Sequence, residues 1–75
     1  MKYVWVIRFC EEPDMRVAAS AEKAYEICRK YIENTISYEN LKTECLRELD
    51  ADYKQNPEWF ACEDVCGAER IEVEE

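Results

Sequence analysis

The chain contains no histidine, one glycine and two prolines among its 75 residues. Without histidine it cannot form the Ser–His or Cys–His pairs that activate a nucleophile. The single glycine, Gly67, excludes a glycine-rich phosphate-binding loop. A run of about 20 apolar residues, the length of a membrane-spanning helix, is also missing. So few glycines and prolines favour short turns between long regular elements.

The residues that are present are sufficient for a folded core. Apolar residues are 48% of the chain and aromatic residues 12%, which is unlike a disordered segment. The length predicts one domain over residues 1–75, with a modest core that dimerisation or a partner would supplement. The segment MKYVWVIRFC lacks the apolar run and cleavage site of a signal peptide, so we expect a cytoplasmic protein with reduced thiols.

The negative charge is unevenly distributed. The net charge is −8, of which residues 1–19 contribute zero, residues 20–57 contribute −2 and residues 58–75 contribute −6. Binding to the phosphates of DNA or RNA needs clustered Lys and Arg side chains. Direct binding to nucleic acid is therefore not expected.

The N-terminal quarter has the pattern of a β-hairpin. In KYVWVIRF, residues 2–9, Val4 and Val6 alternate with aromatic and apolar residues on the opposite face. The segment EEPD, residues 11–14, predicts a turn, because Pro fixes φ and Asp can bond to its own backbone. MRVAA, residues 15–19, is then the returning strand.

Two amphipathic helices follow. After Ser20, a predicted N-cap, apolar residues recur at helical spacing as far as Thr35. After Ser37, a second predicted N-cap, they recur every four residues until Asn56-Pro57, because the residue before proline avoids the helical region. We expect the two helices to form an αα-hairpin.

The last strand is predicted from AERIEVE, residues 68–74. Ile71 and Val73 alternate with charged residues, which predicts both against the core beneath an acidic outer face. Gly67 predicts a bulge or turn before this strand, and WFAC, residues 59–62, is an optional short strand. The expected fold is α+β: an antiparallel sheet of three to four strands with two helices on one face, in the order β-β-α-α-β.

Five cysteines raise the question of a metal or redox site. Cys62 and Cys66 could supply two ligands, but a structural zinc site uses four, and the chain has neither a second close pair nor histidine. The adjacent Glu63 and Asp64 would raise a thiol pKa, which disfavours a reactive thiolate. We expect thiols that pack as small apolar side chains, with no metal and no cofactor. A cysteine-based metal or redox module remains an alternative.

The carboxylates are the more unusual feature, and we expect a binding surface rather than an enzyme. No residues converge on a mechanism, so no catalytic residue is predicted. Along one face of a strand, carboxylates repeat every ~6.5 Å, which is close to the spacing of successive phosphates, on the order of 6–7 Å. The predicted partner is a protein with a basic nucleic-acid-binding surface. The predicted contact residues are Glu63, Asp64, Glu69, Glu72 and Glu74 near the C-terminus, with Glu44, Glu48 and Asp52 on the second helix. An acidic surface that only keeps the protein soluble is the competing explanation.

Two further possibilities involve the first hairpin. If the helices cover only one face of the sheet, Val4 and Val6 are exposed on the other, and such a patch marks a dimer or partner surface. Alternatively, Arg8, Arg16 and Lys2, together with the hairpin aromatics, could bind an anionic or nucleotide signalling ligand at the interface of a homodimer.

Three segments define the layout of the chain: MKYVWVIRF with its short hairpin, the helical ASAEKAYEICRKYIE and the closing strand ERIEVEE. This layout resembles that of small acidic proteins encoded by bacteriophages and prophages, some of which are anti-CRISPR or other anti-defence inhibitors. The resemblance implies binding to a nuclease or effector complex in a bacterial host cell, often by imitating DNA. Other such proteins sequester nucleotide signals. The resemblance assigns no individual functional residue.

Overall fold

The computed structural model describes residues 2–62 and 65–73, apart from the side chains of residues 12 and 14. Its elements are β1 Lys2–Phe9, β2 Glu12–Ala18, α1 Ala21–Thr35, α2 Glu39–Gln55, β3 Trp59–Cys62 and β4 Cys66–Val73. The predicted α+β class is confirmed, and WFAC forms the additional strand, so the order is β-β-α-α-β-β. Among the helices of the described residues, none has the length and apolar character needed to cross a membrane.

The four strands form one antiparallel sheet in the order β2-β1-β4-β3. β1 and β4 are central and pair along their whole lengths, with Ile7 opposite Ala68 and Phe9 opposite Cys66. All four of these side chains are buried. Residues directly opposite each other in an antiparallel pair share a face of the sheet. This face is therefore the one that both helices cover.

α1 forms because a capping residue is followed by apolar residues at helical spacing. The Ser20 hydroxyl accepts a hydrogen bond from the backbone N–H of Lys23 at 3.2 Å, as expected for an N-cap. Ala24, Cys28 and Ile32 then follow at intervals of four residues and are fully buried. The helix packs against α2 and β4 to an equal extent, with further contacts to both strands of the first hairpin.

α2 packs mainly against β3 and is joined to α1 by residues 36–38. Tyr38, rather than the predicted Ser37, occupies the N-cap, and its side chain makes no capping hydrogen bond. Three rings link the layers: Tyr25 of α1 stacks on Tyr53 of α2 at 4.5 Å, and Tyr53 meets Phe60 of β3 edge-on at 5.1 Å. Just after the C-terminal end of α2, the Pro57 carbonyl accepts a hydrogen bond from Trp5 Nε1 at 3.0 Å.

The first hairpin turns more tightly than the sequence predicts. β2 begins at Glu12, so Pro13 and Asp14 lie within the strand rather than in a turn over residues 11–14. The register between β1 and β2 shifts between Ile7 and Phe9. Proline is tolerated there because β2 is an edge strand, where a missing N–H donor need not break the sheet.

Gly67 lies inside β4 rather than in a bulge or turn before it. It pairs with Arg8 on one side and Ala61 on the other. A Cβ atom at this position would lie 3.2 Å from the Ala61 Cβ, tighter than ordinary van der Waals contact. The close approach of two strands therefore explains the only glycine in the chain.

The orientation predicted for the last strand is wrong. Because Ala68 and Cys66 face the helices, Ile71 and Val73 lie on the opposite face of the sheet. They are 38% and 37% exposed and do not belong to the buried core. The residue opposite Ile71 is Val4, which lies on the same helix-free face.

The burial pattern of α2 predicts the outcome of two leucine truncations. Leu49→Ala removes a fully buried side chain and should lower the free energy of unfolding by about 2–5 kcal/mol, because it leaves a cavity. Leu41→Ala on the same helix removes a side chain that is 47% exposed, and should cost about 1 kcal/mol or less. Urea denaturation of both variants measures the difference. Equal losses would contradict the helix orientation.

Candidate functional site

The acidic residues of β4 do not form one surface. Glu69 lies on the helix-free face, where its carboxylate is 3.6 Å from the Arg8 guanidinium. Glu72 lies opposite Tyr3 on the other face, because residues three apart in a strand point in opposite directions. The predicted acidic face is thus divided between two sides of the sheet. Glu63, Asp64 and Glu74 lie outside the described residues.

The predicted carboxylates of α2 do share one surface. Glu44, Glu48 and Asp52 follow one another at intervals of four residues, so they form a line along the helix with a rise of about 6 Å between neighbours. We call these three residues the α2 acidic stripe. Asp52 is half-buried, and its Oδ2 accepts a hydrogen bond from the backbone N–H of Ala61 at 3.4 Å. That bond places the stripe along the β3 edge of the molecule.

Glu44 and Glu48 are exposed and carry their charge without compensation. Neither forms an ion pair with the basic side chains of the described residues. Five other described carboxylates form ion pairs: Arg8–Glu69, Lys23–Glu26, Arg29–Glu33, Lys42–Glu39 and Arg70–Glu58. Glu11, Glu22 and Glu72 have no such partner among the described residues, but they are scattered over the molecule. Glu44 and Glu48 lie on successive turns of one helix, so the stripe is a local concentration of unpaired negative charge.

A second feature has the opposite charge. Between α1 and β2 lies a cleft of about 450 Å³, lined by Phe9, Arg16, Ile27, Lys30, Tyr31, Asn34 and Thr35. We call it the cationic cleft, because the lining residues whose side chains the structure describes include Arg16 and Lys30 and no carboxylate. The rings of Phe9 and Tyr31 meet in its wall, with centroids 4.4 Å apart. Its volume is within the range of small-molecule sites, about 300–1,000 Å³.

The three basic residues assigned to an anion site from the sequence do not converge. Arg16 pairs with Ile7 and lies on the helix-covered face, whereas Arg8 and Lys2 lie on the helix-free face. Arg16 instead meets Lys30 of α1 in the cationic cleft. Lys30 and Asn34 are four residues apart on one side of α1, and this spacing was the signal available in the sequence.

The helix-free face of the sheet is the third candidate. Besides Lys2, Arg8 and Glu69 it carries a group of apolar residues. We call this face the open sheet face, and its main apolar residues are Val4, Val6, Val17, Trp59, Ile71 and Val73. Of the large apolar side chains that are exposed in the described residues, four belong to this face. Val17, Val6, Glu69 and Trp59 lie side by side in one row across all four strands. One-sided helix packing predicts that Val4 and Val6 are exposed. Both are half-buried, so their exposure is only partial.

Four of the five cysteines pack in the core. Cys28, Cys45, Cys62 and Cys66 are buried, and Cys10 is exposed. Burial, followed by a hydrogen bond with Cys45, raises the pKa of the Cys62 thiol. A hydrogen bond with Cys28, followed by burial, raises the pKa of the Cys66 thiol. Both thiols therefore stay protonated near neutral pH and are poor nucleophiles.

Within residues 2–62 and 65–73, no three His, Cys, Asp or Glu side chains come together in an arrangement that could hold a metal ion.

Comparison with known protein families, with curated proteins and with solved structures finds no match to this chain. Three surfaces are the candidate functional sites: the α2 acidic stripe, the cationic cleft and the open sheet face.

The burial of four thiols predicts how the native protein reacts with a soluble aromatic disulfide reagent. Cys10 should react rapidly, because its side chain is exposed. The other four cysteines are buried and should react only when the chain unfolds. The release of chromophore measures the fast and slow phases. Cys10→Ser should abolish the fast phase. Rapid reaction of Cys62 or Cys66 in the native Cys10→Ser variant would contradict their placement.

Proposed function

We propose that this chain is a non-enzymatic acidic interaction protein, which binds a basic surface of another protein through the α2 acidic stripe. The supporting observation is the pair Glu44 and Glu48: both are exposed, unpaired with the described basic residues, and aligned along one side of α2. The net charge of −8 adds a long-range attraction to basic partners. Such attraction accelerates encounter more than it strengthens the final complex.

The spacing of the stripe favours a partner that normally binds nucleic acid. The rise of about 6 Å between successive carboxylates is similar to the spacing of phosphates, on the order of 6–7 Å. A groove whose Lys and Arg side chains follow a nucleic-acid backbone could therefore pair with the stripe. Asp52 is less available to a partner, because its carboxylate already accepts a hydrogen bond from the backbone of β3. Glu44 and Glu48 are the residues expected to contribute most to binding.

The layout that resembles phage-encoded anti-defence proteins suggests a specific form of this function. In that form the protein acts in the cytoplasm of a bacterial host and occupies the nucleic-acid channel of a nuclease or effector complex. Inhibition would then result from competition with DNA or RNA for the same basic groove. An acidic helix surface can also serve only to keep a protein soluble. The test must therefore distinguish binding through the α2 acidic stripe from attraction by the net charge of the chain.

Affinity capture from a bacterial lysate provides that test when two variants of equal charge are compared. Glu44→Gln/Glu48→Gln removes two charges from the stripe, and Glu11→Gln/Glu22→Gln removes two exposed charges elsewhere. The partner should be retained by the wild type and by the second variant, and reduced about tenfold with the first. It should also be released by a competing oligonucleotide and by raising the salt to about 1 M, which shortens the screening length to about 3 Å.

Two results would contradict the proposed function. One is equal retention of captured proteins by both double variants, which would show that the stripe is not a contact surface. The other is retention that neither salt nor an oligonucleotide reduces, since a surface that imitates phosphates must compete with them.

The cationic cleft supports a second candidate function, which is binding of a small anionic ligand such as a nucleotide. In a chain with eight more acidic than basic residues, a cleft whose described lining includes Arg16 and Lys30 and no carboxylate is favourable for a phosphate or carboxylate group. The aromatic wall formed by Phe9 and Tyr31 provides an apolar contact for a planar body. Asn34 and Thr35 supply polar groups at the rim.

Titration with adenosine monophosphate and with inorganic phosphate, followed by amide chemical shifts, tests this second function. Saturable shifts should appear around the cleft with the nucleotide, and Arg16→Gln/Lys30→Gln should weaken binding about tenfold through loss of charge-assisted hydrogen bonds. Arg47→Gln/Lys54→Gln, with the same change of charge on α2, is the matched control. Shifts that appear equally with both variants, or no saturable shift with either probe, would exclude the cleft as an anion site.

A further inference from the structure

The open sheet face is the part of the molecule that its own chain leaves uncovered. Both helices pack on the other side of the sheet, so Val17, Trp59, Ile71 and Val73 remain between 37% and 64% exposed. Trp59 is the largest of these side chains and lies at the β3 end of the row that crosses all four strands, with Glu69 between it and Val6. Continuous exposed apolar patches on small soluble domains mark contact surfaces. Aromatic residues within such patches are frequent centres of binding energy.

The size of this face is suited to a second copy of the same sheet. The four strands have 8, 7, 4 and 8 residues. At ~3.3 Å per residue and ~4.8 Å between strands, they cover about 430 Å² of flat area. Two facing sheets then cover about 860 Å² before the relief of the side chains is added. The accessible area buried is thus close to the ~1,000 Å² that a specific interface needs.

The described charges on this face are compatible with self-association. The described charged residues there are Lys2, Arg8 and Glu69, and Arg8 and Glu69 neutralise each other as an ion pair. The α2 acidic stripe lies on the helical layer and not on this face. Two chains with a net charge of −8 each can therefore meet here without opposing unpaired carboxylates. A partner chosen for its basic charge would instead bind elsewhere on the molecule.

The composition of the core supplies a reason for the chain to dimerise. Of the twelve core residues that the structure describes as buried, seven are Cys or Ala, and the large ones are Ile7, Phe9, Ile32, Leu49 and Phe60. Small side chains bury little apolar area, and a chain of this length is only marginally stable by itself. Covering a second face of the sheet would add apolar burial that the helices do not provide.

We propose that the open sheet face is the interface of a homodimer, in which two copies pack face to face as a β-sandwich. The two sheets would lie about 10 Å apart, the usual spacing for packed sheets. The interface is isologous, so each residue of the open sheet face meets the same surface on the partner. Trp59 of one copy then covers apolar residues of the other. This assembly leaves the α2 acidic stripe and the cationic cleft free on the outside.

Analytical ultracentrifugation over a wide range of protein concentration tests the homodimer. The wild type should sediment with twice the 9.0 kDa mass of one chain. Val17→Asp at one edge and Trp59→Ser at the other edge should each weaken the dimer at least ~tenfold, because a charge or a cavity enters a self-complementary apolar surface. Leu41→Asp is the control, since Leu41 is 47% exposed but lies on α2. Circular dichroism establishes that each variant is folded.

Each outcome of this experiment supports or overturns the homodimer. Loss of the dimer with both open-face variants but not with Leu41→Asp supports it. A wild type that remains monomeric at every concentration overturns it, and the open sheet face would then be a surface for a different protein. A dimer that persists in both open-face variants assigns association to another surface. Glu44→Gln/Glu48→Gln should leave the dimer unchanged, so failure of the proposed partner binding does not affect this test.

Discussion

The pairing of β1 with β4 determines how the rest of the molecule is organised. This pair places Ile7 opposite Ala68 and Phe9 opposite Cys66, and these four side chains form the floor on which the helices pack. Because side chains alternate along a strand, the same register directs Val4 and Ile71 to the other side. It also places Glu69 and Glu72 on opposite faces of the sheet.

The sheet order then separates surfaces of different character. β2 and β3 are the two edges of the sheet, with α1 contacting β2 and α2 contacting β3. The cationic cleft is therefore at one edge and the α2 acidic stripe at the other, although the chain as a whole is acidic. The open sheet face between them is mainly apolar. A small domain can in this way present three surfaces of different chemical character without any of them interfering with the packing of its core.

The sequence was sufficient to predict the elements but not their mutual orientation. The Ser20 cap, the buried stripe of α1 and the end of α2 at Asn56 follow from local chemistry, and the structure has them as expected. The alternation in the last strand shows that it has two faces, but it does not show which is inward. Ile71 and Val73 are more apolar than Ala68 and Cys66, yet the long-range pairing with β1 places the smaller residues inside. Strand faces depend on such tertiary context more than helix faces do. The cationic cleft was missed for a similar reason, because Arg16 and Lys30 meet only when β2 and α1 pack together.

The central claim is that one face of this sheet is covered by the helices and the other by a second copy. Isotope-filtered nuclear Overhauser spectra on an equimolar mixture of labelled and unlabelled chains test it most directly, because they detect only contacts between copies. The account predicts intermolecular contacts among the methyl groups of Val4, Val17, Ile71 and Val73, and from Trp59 to those methyls. Intermolecular contacts that involve Leu41 instead, or none at concentrations where the chain sediments as a dimer, would contradict it.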